Sequence, residues 1–328
     1  MTIKKISIRL MIIVVTIGSL VPNSESQTRS SGSKRDLVTS TALPDGVSDR
    51  DVVFFSEGIQ CYGRLFTPAG FSAESKAPAV VVAPGWGEIE SSVEPIAAGF
   101  ASAGLVAMTI DYRGWGKSGG FLQTVETVKT DDRLRFSQMT ARIRFRRKRL
   151  IPQHQILDIR NALYFVQGEP GVDRTRVGVW GTGMSGGHAI VIAATDARVK
   201  AVVADSPVIE GKDVPRKASA PTGAMLKAEQ RRARDDSEFG VQGGLNDIES
   251  RLALNDYHPF WYLEQVPKAT LVLFVFKDKD LKSRESAEAG SKRLAVPADM
   301  IRTTDPVRGN KSMDASSKAA ADWFLKHL

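Results

Sequence analysis

The chain has 328 residues, 42% of them hydrophobic, enough to bury one large core; a single α/β domain with an insertion accounts for it and two domains are not required. Its one cysteine, Cys61, excludes a disulfide-stapled scaffold, so an exported form would rely on its core. The formal charge of +8 invites a nucleic-acid reading, but no fold-level motif for nucleic acid accompanies it.

Residues 1 to 26 read as a secretory signal peptide. Lys4, Lys5 and Arg9 make a basic start, Leu10 to Val21 is an apolar run, and Ser24-Glu25-Ser26 offers small residues for cleavage. The run is short of the roughly 20 residues of a membrane span, so a secreted or periplasmic protein is expected, with an uncleaved N-terminal membrane anchor as the alternative. Cleavage removes three basic residues and one acid, which lowers the charge from +8 to +6. Residues 27 to 48, rich in Ser, Thr, Lys and Arg without periodicity, read as a disordered leader to a domain over 49 to 328.

Val52 to Phe55 and Gln60 to Phe66 suggest a hairpin around Ser-Glu-Gly. Ala77 to Pro84 is an uninterrupted apolar run, as in a parallel strand covered on both faces, and it ends at Gly85-Trp86-Gly87. A helix near Val93 to Ala103 leads to a strand at Leu105 to Ile110 and the turn Asp111-Tyr-Arg-Gly-Trp-Gly-Lys-Ser-Gly-Gly120, which Asp111 and Arg113 are expected to fix by pairing. Gly116-Lys117-Ser118 is no P-loop, because Asp111 stands where that motif needs glycine and no helix follows. Residues 121 to 151 interrupt the alternation, and the run Arg142-Ile-Arg-Phe-Arg-Arg-Lys-Arg149 reads as a solvated face. A helix over Gln153 to Gln167, with Ile156, Ile159, Leu163 and Val166 on one side, restores the pattern. Strands follow at Val177 to Trp180, Val199 to Ala204 and Thr270 to Phe276, and an amphipathic helix at Asp314 to Leu328 closes the domain. Strand and helix in alternation specify a mostly parallel sheet with helices on both faces. Residues 208 to 262 break the alternation and read as a lid.

The chemistry concentrates at Gly183-Met184-Ser185-Gly186-Gly187, a G-x-S-x-G between a strand and a helix of small residues. In such an elbow, strain lifts the serine hydroxyl clear of the sheet, and the helix N-terminus offers an amide to a developing oxyanion. The same stretch matches a dinucleotide G-x-G-x-x-G over Gly181 to Gly186, with Asp205 about 20 residues on. That match is weak, because strand-and-turn units precede it. On the elbow reading Ser185 is the nucleophile, the Trp86 and Gly186 amides are the oxyanion donors, and Asp280, with Asp278 in reserve, is the acid beyond the last clear strand. The base is harder to find. His327 ends a helix, His188 should point away from Ser185, His154 opens a helix, and His258 in the lid is the one candidate substitute.

Laid out together, these residues resemble the α/β-hydrolase superfamily, in its dienelactone-hydrolase-like and Xaa-Pro-dipeptidyl-peptidase-like esterase branch. The likeness runs from about residue 50 to 328, on Pro84-Gly85-Trp86-Gly87, Asp111 to Gly119, Asp158-Ile-Arg-Asn-Ala162, Val172 to Gly181, Gly183 to His188, Asp196 to Ala201, Pro259-Phe-Trp-Tyr262, Asp280 and Trp323 to Leu328. It implies a serine esterase working through an acyl-enzyme on Ser185 with Asp280 as acid, acting on a small-molecule ester without cofactor or metal. It implies a catalytic histidine near Thr303 too, where this chain has none, and Pro84 replaces a usual histidine. The alternative is a catalytically impaired hydrolase-like protein that binds a small molecule or partner. No nucleic-acid partner and no stable membrane insertion after signal removal are expected, and the oligomeric state is open.

Overall fold

The structure is a computed structural model and describes residues 42–125, 133, 138–211, 227, 230, 234, 248–268, 270–277, 281–296, 298–303 and 315–328. The expected signal peptide, most of the leader, most of the lid, and Asp278 and Asp280 lie outside these residues.

In chain order, β1 (Ser48–Ser56), β2 (Ile59–Thr67) and β3 (Ala77–Ala83) are followed by α1 (Glu94–Ser102), β4 (Val106–Ile110), β5 (Phe121–Thr124) and β6 (Ile143–Arg146). Then come α2 (Pro152–Gln167), β7 (Val172–Thr182), α3 (Met184–Thr195), β8 (Val199–Asp205) and α4 (Ile248–Asn255). A 3-10 turn at Pro259–Gln265 leads to β9 (Leu271–Lys277), α5 (Leu281–Arg293), β10 (Ala298–Thr303) and α6 (Ala315–His327). Eight strands form one sheet in the order β1-β2-β4-β3-β7-β8-β9-β10. The first two joins, β1 to β2 and β2 to β4, are antiparallel and the other five are parallel. This is the expected mostly parallel α/β architecture.

Every residue of β3 and of β4 is buried, which explains their unbroken apolar sequence. Alternate residues feed two cores. Val80, Val82, Trp180 and Val203 pack with α1 and with Phe324 of α6, while Val81, Val179 and Val202 pack with α2 and α3. Ile156, Ile159, Leu163 and Val166 are buried on α2 as their spacing predicts. Proline in the first turn, Pro95 in α1 and Pro152 in α2, suits positions whose N–H would have no helical partner.

Three local expectations change. The first strand starts at Ser48 rather than Val52, and its pairing extends to Thr67. Residues 121 to 151 contain a two-stranded ribbon, Phe121 opposite Arg146 and Thr124 opposite Ile143. Part of the basic run is consumed locally: Arg146 and Arg149 pair with Glu249, and Arg147 donates to the carbonyls of Ser118 and Gly116. Finally, Arg113 does not pair with Asp111. Its guanidinium meets Asp158 at 2.7 Å and Glu57 at 2.7 Å, and its backbone N–H also donates to Asp158. Asp111 instead accepts the backbone N–H groups of Glu90 and Lys117, which fixes the turn from within.

The Arg113–Asp158 pair clamps the turn after β4 to α2, and both side chains are buried. Removing Asp158 leaves the buried Arg113 with the exposed Glu57 as its one carboxylate partner among the described residues, and strips its backbone N–H of an acceptor. Asp158→Ala is therefore expected to cost about 3–5 kcal/mol, read as a lower urea midpoint at unchanged slope.

Candidate active site

Between β7 and α3 the chain reverses at one residue, Gly183, with φ 56° and ψ −115°. An L side chain pays roughly 1–3 kcal/mol for such a conformation. The turn is held from both sides: the Gly183 N–H donates to the Asp205 carbonyl at 2.8 Å, and its carbonyl accepts the Val208 N–H at 2.9 Å. The neighbouring small residues answer to packing. A Cβ on Gly181 would stand 2.1 Å from the Ser185 carbonyl oxygen, and one on Gly187 would stand 2.2 Å from that of Val208. At Gly183 a Cβ would meet no atom of the described residues within 4 Å. Within the stretch from Gly181 to Gly187, the position that combines strain with open space is Gly183.

Ser185 sits two residues further on, in the first turn of α3, and is 1% exposed. Its hydroxyl donates to the Pro84 carbonyl at the end of β3 and lies 2.6 Å from the Tyr112 hydroxyl beyond β4. A serine has one proton to give. With that proton on Pro84, Tyr112 must donate to Ser185, as a phenol whose pKa complete burial pushes well above its ordinary value. The expectation that strain lifts the Ser185 hydroxyl clear of the sheet is thus not met. In an elbow the free side chain belongs to the strained turn residue, and here that residue is Gly183. The sequence carried a signal for this, since Gly181-x-Gly183-x-Ser185 has small residues two places either side of Gly183, as G-x-S-x-G has either side of its serine. Tyr112, also missed, stood inside the Asp111-Tyr-Arg turn.

Of the other expected site residues, Trp86, Gly186 and His258 are among those described. A Cβ on Gly85 would lie 3.4 Å from the Thr182 carbonyl oxygen, so the loop carrying Trp86 runs beside the elbow. Gly186 is packed against Pro207 and Asp205, and the amide that follows the strained residue is that of Met184. Asp280 lies outside the described residues. Thr303 ends β10 opposite Lys277 of β9, so its backbone is at the sheet edge from which residue 278 continues.

All four histidines are described, and none hydrogen-bonds to Ser185. His188 is fully buried, with Nε2 3.0 Å from Gln155 Oε1 and Nδ1 2.8 Å from the Tyr257 hydroxyl. Burial lowers its pKa to about 3, so it is neutral; the Tyr257 hydroxyl gives its one proton to the Met184 carbonyl at 3.0 Å and accepts from Nδ1–H. His258, the expected substitute base, pairs through Nδ1 with Glu210 at 2.7 Å and stacks on Trp261. Its neighbours Tyr257 and Pro259 are the residues that reach α3. His154 packs against Phe121, and His327 against Trp323. Glu210 also lines a cavity of about 360 Å³ bounded by Ile209, Phe260 and, on α5, Lys282, Glu285 and Ser286. The wall begins just after Val208, whose amide holds the elbow.

A mostly parallel sheet with a strained strand-to-helix turn at its edge defines an α/β hydrolase, and solved structures with this fold agree. A hypothetical protein from Pseudomonas aeruginosa superposes with a TM-score of 0.68 at 19% identity, over 88% of this chain and 96% of that one. An acetyl xylan esterase from Paenibacillus sp. R4 does so with a TM-score of 0.55 at 20% identity, over 87% and 85%. Among curated proteins, the thiohydrolase apmlB of Arthrinium phaeospermum is 30% identical over 215 residues, 65% of this chain and 60% of its own length. Matches span less than two thirds of the length of these curated relatives. The acetyl xylan esterase (AXE1) family model matches residues 42–213, just over half of the chain, and the chain belongs to that family.

Two measurements test this geometry. Gly181→Ala should destabilise much more than Gly183→Ala in urea unfolding, because the first drives a methyl into helix backbone whereas the second costs only the roughly 1–3 kcal/mol of a strained φ. The second test is titration. An unfolded imidazole takes a proton near pH 6.5, but His188 resists to about 3, so the unfolded chain binds more protons in that window. Its contribution is present above 6.5 and is lost as pH falls toward 3. His188→Gln should flatten that part of the stability profile.

Proposed function

We propose that this esterase-like α/β hydrolase is catalytically impaired, with Gly183 in the nucleophile's place, and that it binds a small acyl or ester compound without forming an acyl-enzyme. The observation that carries this reading is the backbone of Gly183, strained and open where a nucleophile would stand, while the Ser185 hydroxyl is spent on Pro84 and Tyr112. For Ser185 to attack, it would have to leave both partners and a 1%-exposed site. The histidine bonds support the same reading, since a serine without a general base nearby is a weak nucleophile. On this view Asp280 is a carboxylate with no imidazole to orient, because Thr303 occupies the matching position. The Trp86 amide, now alongside that of Met184, still offers hydrogen bonds to a carbonyl oxygen.

Acyl compounds come first as ligands because the relatives are named acetyl xylan esterase and thiohydrolase. The cavity beside the elbow falls within the roughly 300–1,000 Å³ usual for small-molecule sites. The basic start and apolar run of residues 1 to 26 further support export, which a mature N-terminus at Gln27 would establish.

A fluorophosphonate probe tests the proposal. Wild type and Ser185→Ala should both stay unlabelled, and Gly183→Ser combined with Thr303→His should gain ester hydrolysis by orders of magnitude over wild type. Strong labelling of wild type that disappears in Ser185→Ala would overturn it and make the protein a serine esterase acting through Ser185.

A further inference from the structure

The β5–β6 ribbon is amphipathic in the unusual sense, with its polar side turned to the body and its apolar side turned out. Strand alternation sets this up. Gln123, Arg144 and Arg146 are partly buried, and Arg146 reaches Glu249. Phe121, on the same inward face, packs against His154 and under the Arg149 guanidinium. On the outward face Leu122 stands opposite Phe145, with Ile143 two residues along; they are 55%, 61% and 49% exposed. Three large apolar side chains on one outward face form a patch, unlike the single exposed residues normal for a protein surface.

Positive charge borders this face at the ribbon's base. Arg147 is exposed and donates to the carbonyls of Gly116 and Ser118, so no carboxylate neutralises it through those bonds. Lys148 is exposed beside it, whereas Lys117, in the loop that Arg147 holds, is engaged by Glu90 at 3.7 Å and by the Tyr62 hydroxyl. An apolar strip edged by Arg and Lys matches the interface of an anionic bilayer, where side chains enter the acyl boundary and cations meet phosphate. Pairing with a second copy is disfavoured, because it would bring two cationic rims together.

We propose that the outward face of the β5–β6 ribbon, Leu122, Ile143 and Phe145 with the Arg147–Lys148 rim, docks this protein onto anionic phospholipid membranes. The ribbon leaves the sheet through the turn after β4, on the edge where β7 ends at the elbow. Docking there would bring that edge to the lipid surface.

The experiment uses the full chain carrying Phe145→Cys, labelled with a polarity-sensitive thiol dye. Cys61 will not compete, since it is fully buried in β2 and burial pushes its thiol up to about 12. The dye emission should shift to the blue with vesicles of phosphatidylglycerol and stay unchanged with phosphatidylcholine. Leu122→Thr with Ile143→Thr, which keep strand propensity, should weaken the response about tenfold, and Lys148→Asn should weaken it about fivefold, at roughly 1 kcal/mol per cation. No shift with anionic vesicles, or an equal shift with neutral ones, overturns the proposal. A blue shift that grows with protein concentration without lipid overturns it in favour of self-association. A shifted spectrum without lipid, together with a lower melting temperature in the Thr variant, would assign the face to cover by residues 126–137.

Discussion

The close approach of α3 to β7 governs this molecule. With only hydrogen at Gly181, the first turn of the helix backs directly onto the strand, at a separation that a methyl would close to 2.1 Å. The helix can begin that near only if the chain reverses in one residue, and the left-handed φ at Gly183 is what permits it. Once the turn is that tight, Ser185 is carried under the tips of β3 and β4, where Pro84 and Tyr112 take up its hydroxyl.

The surroundings reinforce the same geometry. Asp205 and Val208 hold the two sides of Gly183, so β8 and the segment beyond it are registered against the elbow. Tyr257 reaches from the far side to the Met184 carbonyl and to His188, whose other nitrogen faces Gln155 of α2. A fully buried imidazole is tolerated because both nitrogens have partners and burial keeps it neutral. This histidine, in the motif that suggests catalysis, serves the packing of α3 against its neighbours.

An apparatus for acyl transfer needs a nucleophile, a base and oxyanion donors within a few ångströms of one another. On the proposed reading, the amide donors come from backbone at the ends of β3 and β7, which a change of side chain does not remove. The nucleophile and base are side chains, and single substitutions remove them without disturbing the sheet. That asymmetry explains how a chain keeps the family's frame while the strained position carries only hydrogen.

The periodic part of the architecture was legible in the sequence. Apolar runs at Ala77 to Ala83 and Val199 to Ala204 determined buried parallel strands, the 3.6-residue spacing from Ile156 to Val166 determined α2, and glycines marked the elbow. The ribbon, α5 and β10 were not legible, because β5 and β6 turn their apolar residues outward and α5 is polar along most of its length. The partner of Arg113 was equally hidden, since Asp158 lies 45 residues away and charge pairing leaves no periodic trace. Which residue of Gly181-x-Gly183-x-Ser185-x-Gly187 is the turn was decided only in three dimensions. Overlapping glycine frames are equivalent as strings, and they differ only in where a Cβ would meet backbone and where it would meet open space.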